Sequence, residues 1–342
     1  MNYFENKWPA LLLWPLSVLY HLVTSLRHAS YSFGILKQHR LNIPVISIGN
    51  LTVGGTGKTP TVIFLTQWLS QRGIQVCILS RGYGRKETKP MILANDRPRP
   101  SLAQVGDEPL LMAQRLATTP IVVDADRVRA AKWAEQHLKP DVLLLDDGLQ
   151  HRRLVRDADI VTFRRSRPFG NGWLLPAGPL RESKRRLVSS RLFWFNGMSG
   201  EGTDLFPEIP RIYAQYQPVD MVDSASTVHP LAAPGTPVVA FCGLANPQAF
   251  KQTLTALGFH CRAFVAFADH HDYTDHDISR LQRLYAQERP SFMVTTEKDW
   301  VKIRGRLPLD EGWRCLRIQI EPENPQQLDS LLAQIFAGAT NQ

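Results

Sequence analysis

The sequence predicts two α/β domains, a larger one built on a parallel sheet and a smaller one after it, behind an apolar N-terminal helix. Three observations carry that expectation. Short β-rich runs alternate with helix-length segments along most of the 342 residues, the pattern of a parallel sheet covered by helices. A glycine-rich turn, residues 49–59, lies between the apolar run 43–48 and the helix-like run 62–65. Finally, residues 197–208, rich in Gly and acids, and residues 227–237, rich in Pro and Ala, separate two such alternations and read as linkers.

The N-terminal segment comes first. Residues 8–23 carry no formal charge, and Arg27, His28, Lys37 and Arg40 follow them. A spanning helix needs about 20 apolar residues, and two prolines and a histidine make this a poor one. Only Lys7 precedes it and no clean small-residue cleavage site follows, so it does not read as a secretory signal. Two readings stay open: a helix packed in the core, or an interfacial helix with Trp and Leu in a membrane and Arg27 and its neighbours at anionic head groups.

In the first alternation, strands are expected at 75–80, 120–123, 142–145, 159–163 and 192–195, with helices at 107–116 and 127–137. The second alternation has strands at 237–243, 261–267 and 292–295 and helices at 247–257, 277–288 and 326–336. The domains expected are a membrane-associating segment at 1–40, a nucleotide domain at 41–215 and a second α/β domain at 216–342, whose last helix can pack back on the first. No internal repeat is evident. Four scattered cysteines, Cys77, Cys242, Cys261 and Cys315, lack C-x-x-C spacing and read as thiols of a reducing compartment, three of them in apolar strands.

The formal net charge is +9, and between His151 and Arg191 eleven Lys and Arg face three acids. That density points to an anionic partner. Few aromatic residues interleave it, which argues against single-stranded nucleic acid.

The turn at 49–59 reads as a phosphate-binding P-loop. Its residues Thr52, Val53, Gly54, Gly55, Thr56, Gly57, Lys58 and Thr59 would wrap backbone N–H groups and a helix N-terminus around a polyphosphate, with Lys58 on the outer phosphates and Thr59 on magnesium. The usual first glycine is replaced by Thr52. Residues 142–148 are an apolar strand that emerges into Asp146 and Asp147, carboxylates suited to a magnesium ion opposite the phosphates. Asp107 starts a helix, as a cap or as a carboxylate facing substrate. Arg127, at a strand end, either contacts phosphate or pairs with Asp124. In 269–274, Asp-His-His-Asp spacing suits zinc poorly but suits a histidine that takes a proton from an attacking hydroxyl. Residues 295–299 either shape that site or merely start a capped helix.

Together these motifs resemble one family, the tetraacyldisaccharide 4'-kinases. The matching stretches are Ile48-Gly49-Asn50 with Val53 to Pro60, Ser80-Arg81-Gly82-Tyr83-Gly84, Gly106-Asp107-Glu108-Pro109, Asp124-Ala125-Asp126-Arg127, Leu145-Asp146-Asp147-Gly148-Leu149-Gln150-His151, Leu175 to Glu182, Phe267-Ala268-Asp269-His270 and Thr295-Thr296-Glu297-Lys298-Asp299. The resemblance implies transfer of the γ-phosphate of ATP to the 4'-hydroxyl of a tetraacylated glucosamine disaccharide 1-phosphate, giving lipid IV-A in lipid A synthesis at the cytoplasmic face of the inner membrane. It implies Asp107 and His270 as a catalytic dyad, Lys58 and Thr59 on phosphate and Mg2+, and Asp146, Asp147 and Glu182 in the metal shell. It also implies Arg81, Glu108, Arg127, Gln150, His151 and Arg181 as substrate or phosphate contacts. The partners implied are the lipid A precursor and a membrane surface, with no nucleic acid and no protein partner. Domain closure during catalysis is a further expectation. The competing readings are a soluble P-loop kinase of a small metabolite and an ATPase switch with an anionic partner.

Overall fold

The computed structural model describes residues 10–85, 89–93, 101–197, 200, 204–308 and 312–340. It divides into two compact units. Unit 1 takes residues 1–100, 112–216 and 320–342; unit 2 takes residues 101–111 and 217–319.

Unit 1 begins with helix α1 (Trp14–Ser32) and then strand β1 (Val45–Gly49), helix α2 (Lys58–Ser70) and strands β2 (Val76–Ser80) and β3 (Met91–Leu93). Helix α3 (Leu102–Val105) and the start of α4 (Asp107–Arg115) belong to unit 2. Unit 1 resumes with β4 (Ile121–Val123), α5 (Arg127–His137), β5 (Val142–Asp146), β6 (Ala158–Arg164) and β7 (Leu192–Asn196). Strand β8 (Arg211–Asp223) starts in this unit and ends in the other. The strand order is β8-β7-β6-β1-β5-β2-β4-β3, parallel except for β3 against β4. All five residues of β1 and of β5 are buried, as a central strand covered by helices on both faces requires. Ala130, Ala131 and Ala134 of α5 let that helix sit close on Cys77, Leu79, Val122 and Leu143. By strand register the same face continues into a second cluster with Leu51, Phe163, Leu180, Phe193 and Phe195.

Unit 2 contains β9 (Val228–His229), β10 (Pro237–Cys242), α6 (Pro247–Ala256), β11 (His260–Ala266), α7 (Asp275–Glu288), β12 (Phe292–Thr296), α8 (Glu297–Ile303) and most of β13 (Trp313–Pro322). Its strands β11, β10, β12 and β13 are parallel in that order. Phe241 and Met293 pack under α7 and α8, which contribute Ile278, Leu281, Trp300 and Ile303. Val238, Ala240 and Phe292 pack against Phe250 and Leu254 of α6. The chain then returns to unit 1 as α9 (Pro325–Thr340). There Leu328 and Leu332 are buried and Phe336 stacks on Trp68 of α2.

The expected strands and helices of both alternations are present. Strand β8 was not expected, since much of it lies in the supposed connecting region and its residues are mostly half-buried, with Gln215, Gln217, Pro218 and Asp220 interrupting the apolar ones. All four cysteines are free thiols, and burial pushes Cys77 and Cys242 up to about 12.

Of the two readings of the N-terminus, the core-packed helix is overturned. Leu12, Trp14, Leu16, Leu19, Leu22, Val23 and Leu26 face solvent, Leu12 at 85%. Trp8 and Pro9 lie outside the described residues. The opposite face of α1 is attached by polar contacts. Ser17 Oγ donates to the Leu174 carbonyl and accepts from the Ala177 N–H, both at 2.9 Å, while Tyr20 Oη donates to the Arg181 carbonyl at 2.9 Å. Among the described residues no helix is long and apolar enough to cross a membrane.

Candidate functional site

The loop after β1 rests on side chains of β6, which pairs with β1, and of β7, one strand further out. Thr162 of β6 donates to the Gly49 carbonyl and meets Thr56 Oγ1 at 2.8 Å; Asn196 of β7 donates to the Thr56 carbonyl at 2.9 Å. Asn50 holds the near side by donating to the Thr52 carbonyl at 2.7 Å, and Gln150 fixes Asn50 in turn through its carbonyl at 2.9 Å. Gly57, at φ 84°, turns the chain into α2. A Cβ there would strike the Tyr216 hydroxyl and the Asn196 amide, so this position requires glycine on both counts.

Thr52 explains the altered loop lettering. It forms an antiparallel bridge with Leu180, flanked by Val53 N–H to Pro179 O and Arg181 N–H to Leu51 O, both 2.8 Å. A bridged, extended residue needs no left-handed backbone, so a β-branched side chain fits where a tighter loop would need glycine.

Helix α2 opens on Gly57 with no side-chain cap and no acid in its first turn. Its first amides are therefore available to an anion. Lys58 Nζ donates to Asn50 Oδ1 at 3.2 Å and lies 3.4 Å from Asp147 Oδ1. Thr59 is buried in the same first turn.

Asp146 ends β5, buried, and accepts from Ser80 Oγ at 3.0 Å. Asp147 follows in a left-handed conformation, φ 52°. Arg181 bonds its carboxylate at 3.0 and 3.1 Å. Burial raises the Asp147 pKa, but Lys58 and Arg181 outweigh it and hold the carboxyl below its ordinary value. Arg127 is buried and donates to the Asp146 carbonyl at 2.7 Å; burial lowers its pKa to about 10 against the charges of Asp146 and Asp147, so it stays cationic at neutral pH. It does not pair with the Asp124 carboxylate. That carboxylate takes Arg129 at 2.7 and 2.8 Å.

Glu182 is buried against His28 of α1 at 2.9 Å, with Arg186 at 3.9 Å. Among the described residues no three His, Cys, Asp or Glu side chains converge to hold a metal. The hard-oxygen set of Thr59, Asp146 and Asp147 suits a magnesium ion that arrives on phosphates and keeps its waters rather than one held in an all-protein cage. His151 is half-buried, and burial with Arg127, Arg153 and Arg156 lowers its pKa to about 4. Arg81 is exposed and Glu108 half-buried. The basic window is less free than its lettering suggests: Arg156 and Arg186 bind Asp159, Arg181 binds Asp147 and Arg165 binds Glu323. Arg152, Arg185 and Arg186, with His21, His28 and Glu182, line a cavity of about 710 Å³ beside α1.

Unit 2 brings Asp107 and His270 together, 163 positions apart, with His270 Nδ1 2.9 Å from Asp107 Oδ2. Asp107 is the first residue of α4 and accepts the Glu108 N–H at 3.1 Å. Burial raises its pKa, yet hydrogen bonding and charge from His270, followed by Lys302 and Lys298, leave it below the ordinary carboxylate value. His270 is held at φ 57°, a left-handed backbone. His271 turns away, bonding Asp277 at 3.1 Å and stacking on Phe267. Asp299 is fully buried, accepting from the Gly243 N–H, Tyr273 Oη and Thr296 Oγ1, and so fixes the start of α8. Asn50, Ser80, Lys298 and Lys302 carry contacts that reading the chain alone did not assign. Only the Thr296 cap and the four-residue spacing of the two lysines hinted at the last pair.

A parallel sheet whose first strand runs through this loop into an uncapped helix, with carboxylates ending the adjacent strand, defines a P-loop protein of the phosphate-transferring class. The family described as LpxK, tetraacyldisaccharide-1-P 4'-kinase, matches residues 9–337. A tetraacyldisaccharide 4'-kinase of Syntrophus aciditrophicus is 35% identical over 92% of this chain and 90% of that protein. One of Shewanella amazonensis is 40% identical over 88% and 86%, respectively. The crystal structure of LpxK from Aquifex aeolicus in complex with ATP is similar at a TM-score of 0.79, with 32% identity over 96% of this chain and 99% of that one. The chain belongs to the tetraacyldisaccharide-1-P 4'-kinase family, and is thus an ATP-dependent kinase.

Proposed function

We propose that unit 1 binds ATP at the loop 52–59 and that Asp107 and His270 of unit 2 activate the 4'-hydroxyl of tetraacyldisaccharide 1-phosphate. The observation that carries this reading is the uncapped N-terminus of α2 with Lys58 held beside it by Asn50 and Asp147. The hydroxyl oxygen attacks the γ-phosphorus, its proton passes to the Asp107–His270 pair, and the bond to the β-phosphate oxygen breaks to leave ADP. Lys58 and the α2 amides neutralise the transferring group, which is most of what a protein contributes to this chemistry. Magnesium, held by Thr59 with Asp146 and Asp147, would supply further charge neutralisation on the phosphates. Arg181 orients Asp147, and Gln150 and Arg127 brace the loop and the β5 end from behind. Glu182, engaged by His28 and Arg186, belongs to the cavity wall in this reading.

An acylated substrate stays in its bilayer, since each CH2 exposed costs about 0.8 kcal/mol, so the enzyme works at a membrane surface. The apolar row of α1 would enter the interface on the cytoplasmic side of the inner membrane, and Arg152 and Arg185 in the adjoining cavity suit the 1-phosphate. A soluble small-metabolite kinase gives no account of that exposed row.

Transfer from γ-labelled ATP to tetraacyldisaccharide 1-phosphate tests this. The wild type labels the lipid, Lys58→Ala abolishes labelling, and Asp107→Ala and His270→Ala lower kcat by about 10²- to 10⁴-fold, the range of a positioned acid–base group. Full activity in those variants would refute the assignment.

A further inference from the structure

The contacts around the Asp107–His270 pair extend to two lysines of α8, which the family reading does not use. Lys298 Nζ lies 2.9 Å from His270 Nε2 and 3.2 Å from Asp269 Oδ1. Lys302, one turn later, lies 3.7 Å from Asp107 Oδ2 and donates to the His271 carbonyl at 3.2 Å. Residues four apart on a helix share a face, so α8 directs one ammonium to each member of the pair. The helix itself cannot drift, because the buried Asp299 ties its first turn to Gly243 and Tyr273.

An ammonium has three donors and no acceptor. Nε2 of His270 therefore accepts from Lys298, the single proton of the neutral ring sits on Nδ1, and Nδ1 donates to Asp107. We infer that Lys298 is a positioning residue for phosphoryl transfer: it selects the Nδ1–H tautomer of His270 and holds the ring against Asp107, while Lys302 fixes Asp107 and the loop that follows His270. This rests on the Asp107–His270 pair being the acceptor-activating group. The left-handed backbone of His270 adds to the case, since a non-glycine residue there persists only when its surroundings over-determine it. The charged and titratable groups facing the pair are Lys298 and Lys302 from α8, Asp269 from the loop, and the His271–Asp277 couple at the start of α7.

Lys298 is a quarter exposed, so its replacement leaves the core intact. In Lys298→Met we expect kcat for lipid phosphorylation to fall about 10- to 100-fold, part of the range open to a positioned acid–base group. KM for ATP and for lipid should stay within about twofold and the pH profile should change. Lys298→Arg, which keeps a charged donor, restores most of the rate. Nitrogen-15 imidazole spectra of the full-length wild type, with the His270 signals identified by their loss in His270→Gln, should show a protonated Nδ1 and a bare Nε2, and in Lys298→Met a shift toward the Nε2–H form. In Lys302→Met the acid limb of the pH–rate profile should rise by about one pH unit, because an opposite charge near Asp107 has gone.

A protonated Nε2 in the wild type overturns the inference directly, without reference to activity. So does a Lys298→Met enzyme with wild-type kcat and pH profile beside an inactive His270→Ala. If His270→Ala itself retains full activity, the dyad assignment fails first and the inference falls with it.

Discussion

Single residues decide the chemistry of both sites, and they do so through conformations a side-chain alphabet only partly encodes. Gly57 combines a left-handed backbone with contact distances that exclude even a methyl group. Gly57→Ala must bear about 1–2 kcal/mol for the backbone alone and displace Asn196 from the Thr56 carbonyl. Calorimetric affinity for a non-hydrolysable ATP analogue should therefore drop at least about tenfold, a loss of about 1.4 kcal/mol; unchanged affinity would contradict this account of the loop. Asp277 offers a pH test in unit 2. Hydrogen bonds from the Thr274 backbone and hydroxyl and from His271 hold it at about 2 against an ordinary 3.8. A carboxylate with a depressed native pKa stabilises the fold above its unfolded pKa and loses that contribution as pH falls through the native one. The melting-temperature gap between wild type and Asp277→Asn should be constant above about pH 5 and close as pH falls from 3.8 toward 2. A gap that persists at the acid end would remove Asp277 from this role.

At the scale of elements, α1 is bound to the body by Ser17, Tyr20 and His28 on one face and presents an unpartnered apolar row on the other. The segment it grips, residues 174–182, is the same one that bridges Thr52 and supplies Arg181 to Asp147. Deleting residues 1–25 would therefore disturb the P-loop as well as any anchor. Point charges separate the two effects. Leu16→Asp with Leu22→Asp should abolish co-flotation with vesicles containing anionic lipid, while melting temperature and hydrolysis-independent ATP-analogue binding stay unchanged, because both side chains already face solvent. Flotation equal to wild type would refute membrane docking through this face.

Across the whole molecule, unit 1 is discontinuous and needs the last helix. Leu328, Leu332 and Phe336 are buried, and Trp68 Nε1 donates to Asp329 at 2.5 Å. Each large apolar side chain returned to water costs about 1.5–3 kcal/mol, so their loss consumes much of the roughly 5–15 kcal/mol that holds a typical domain together. A chain truncated after Pro322 should lack a cooperative melting transition for unit 1 in calorimetry; a normal transition would show α9 to be dispensable.

The expected order of strands and helices was legible because buried parallel strands are written as short apolar runs, as in β1 and β5. The P-loop was legible too, since a polyphosphate demands glycines, a lysine and a hydroxyl at fixed local spacing. Strand β8 was not, because it is mostly half-buried and Gln215, Gln217, Pro218 and Asp220 break up its apolar run. The sequence by itself determined the local chemistry: the loop 49–59, the carboxylates at the end of β5, and an Asp-His element downstream. The meeting of Asp107 with His270 was offered by the sequence only through the family resemblance and is made by the tertiary structure. Tertiary structure alone decided that Glu182 turns to His28, that the bridge with Leu180 accommodates Thr52, and that α8 sets a lysine on each member of the pair. Those pairings join segments as far apart in the chain as Asp107 and Lys302, and contacts of that span are fixed by packing and strand topology, which no local spacing records.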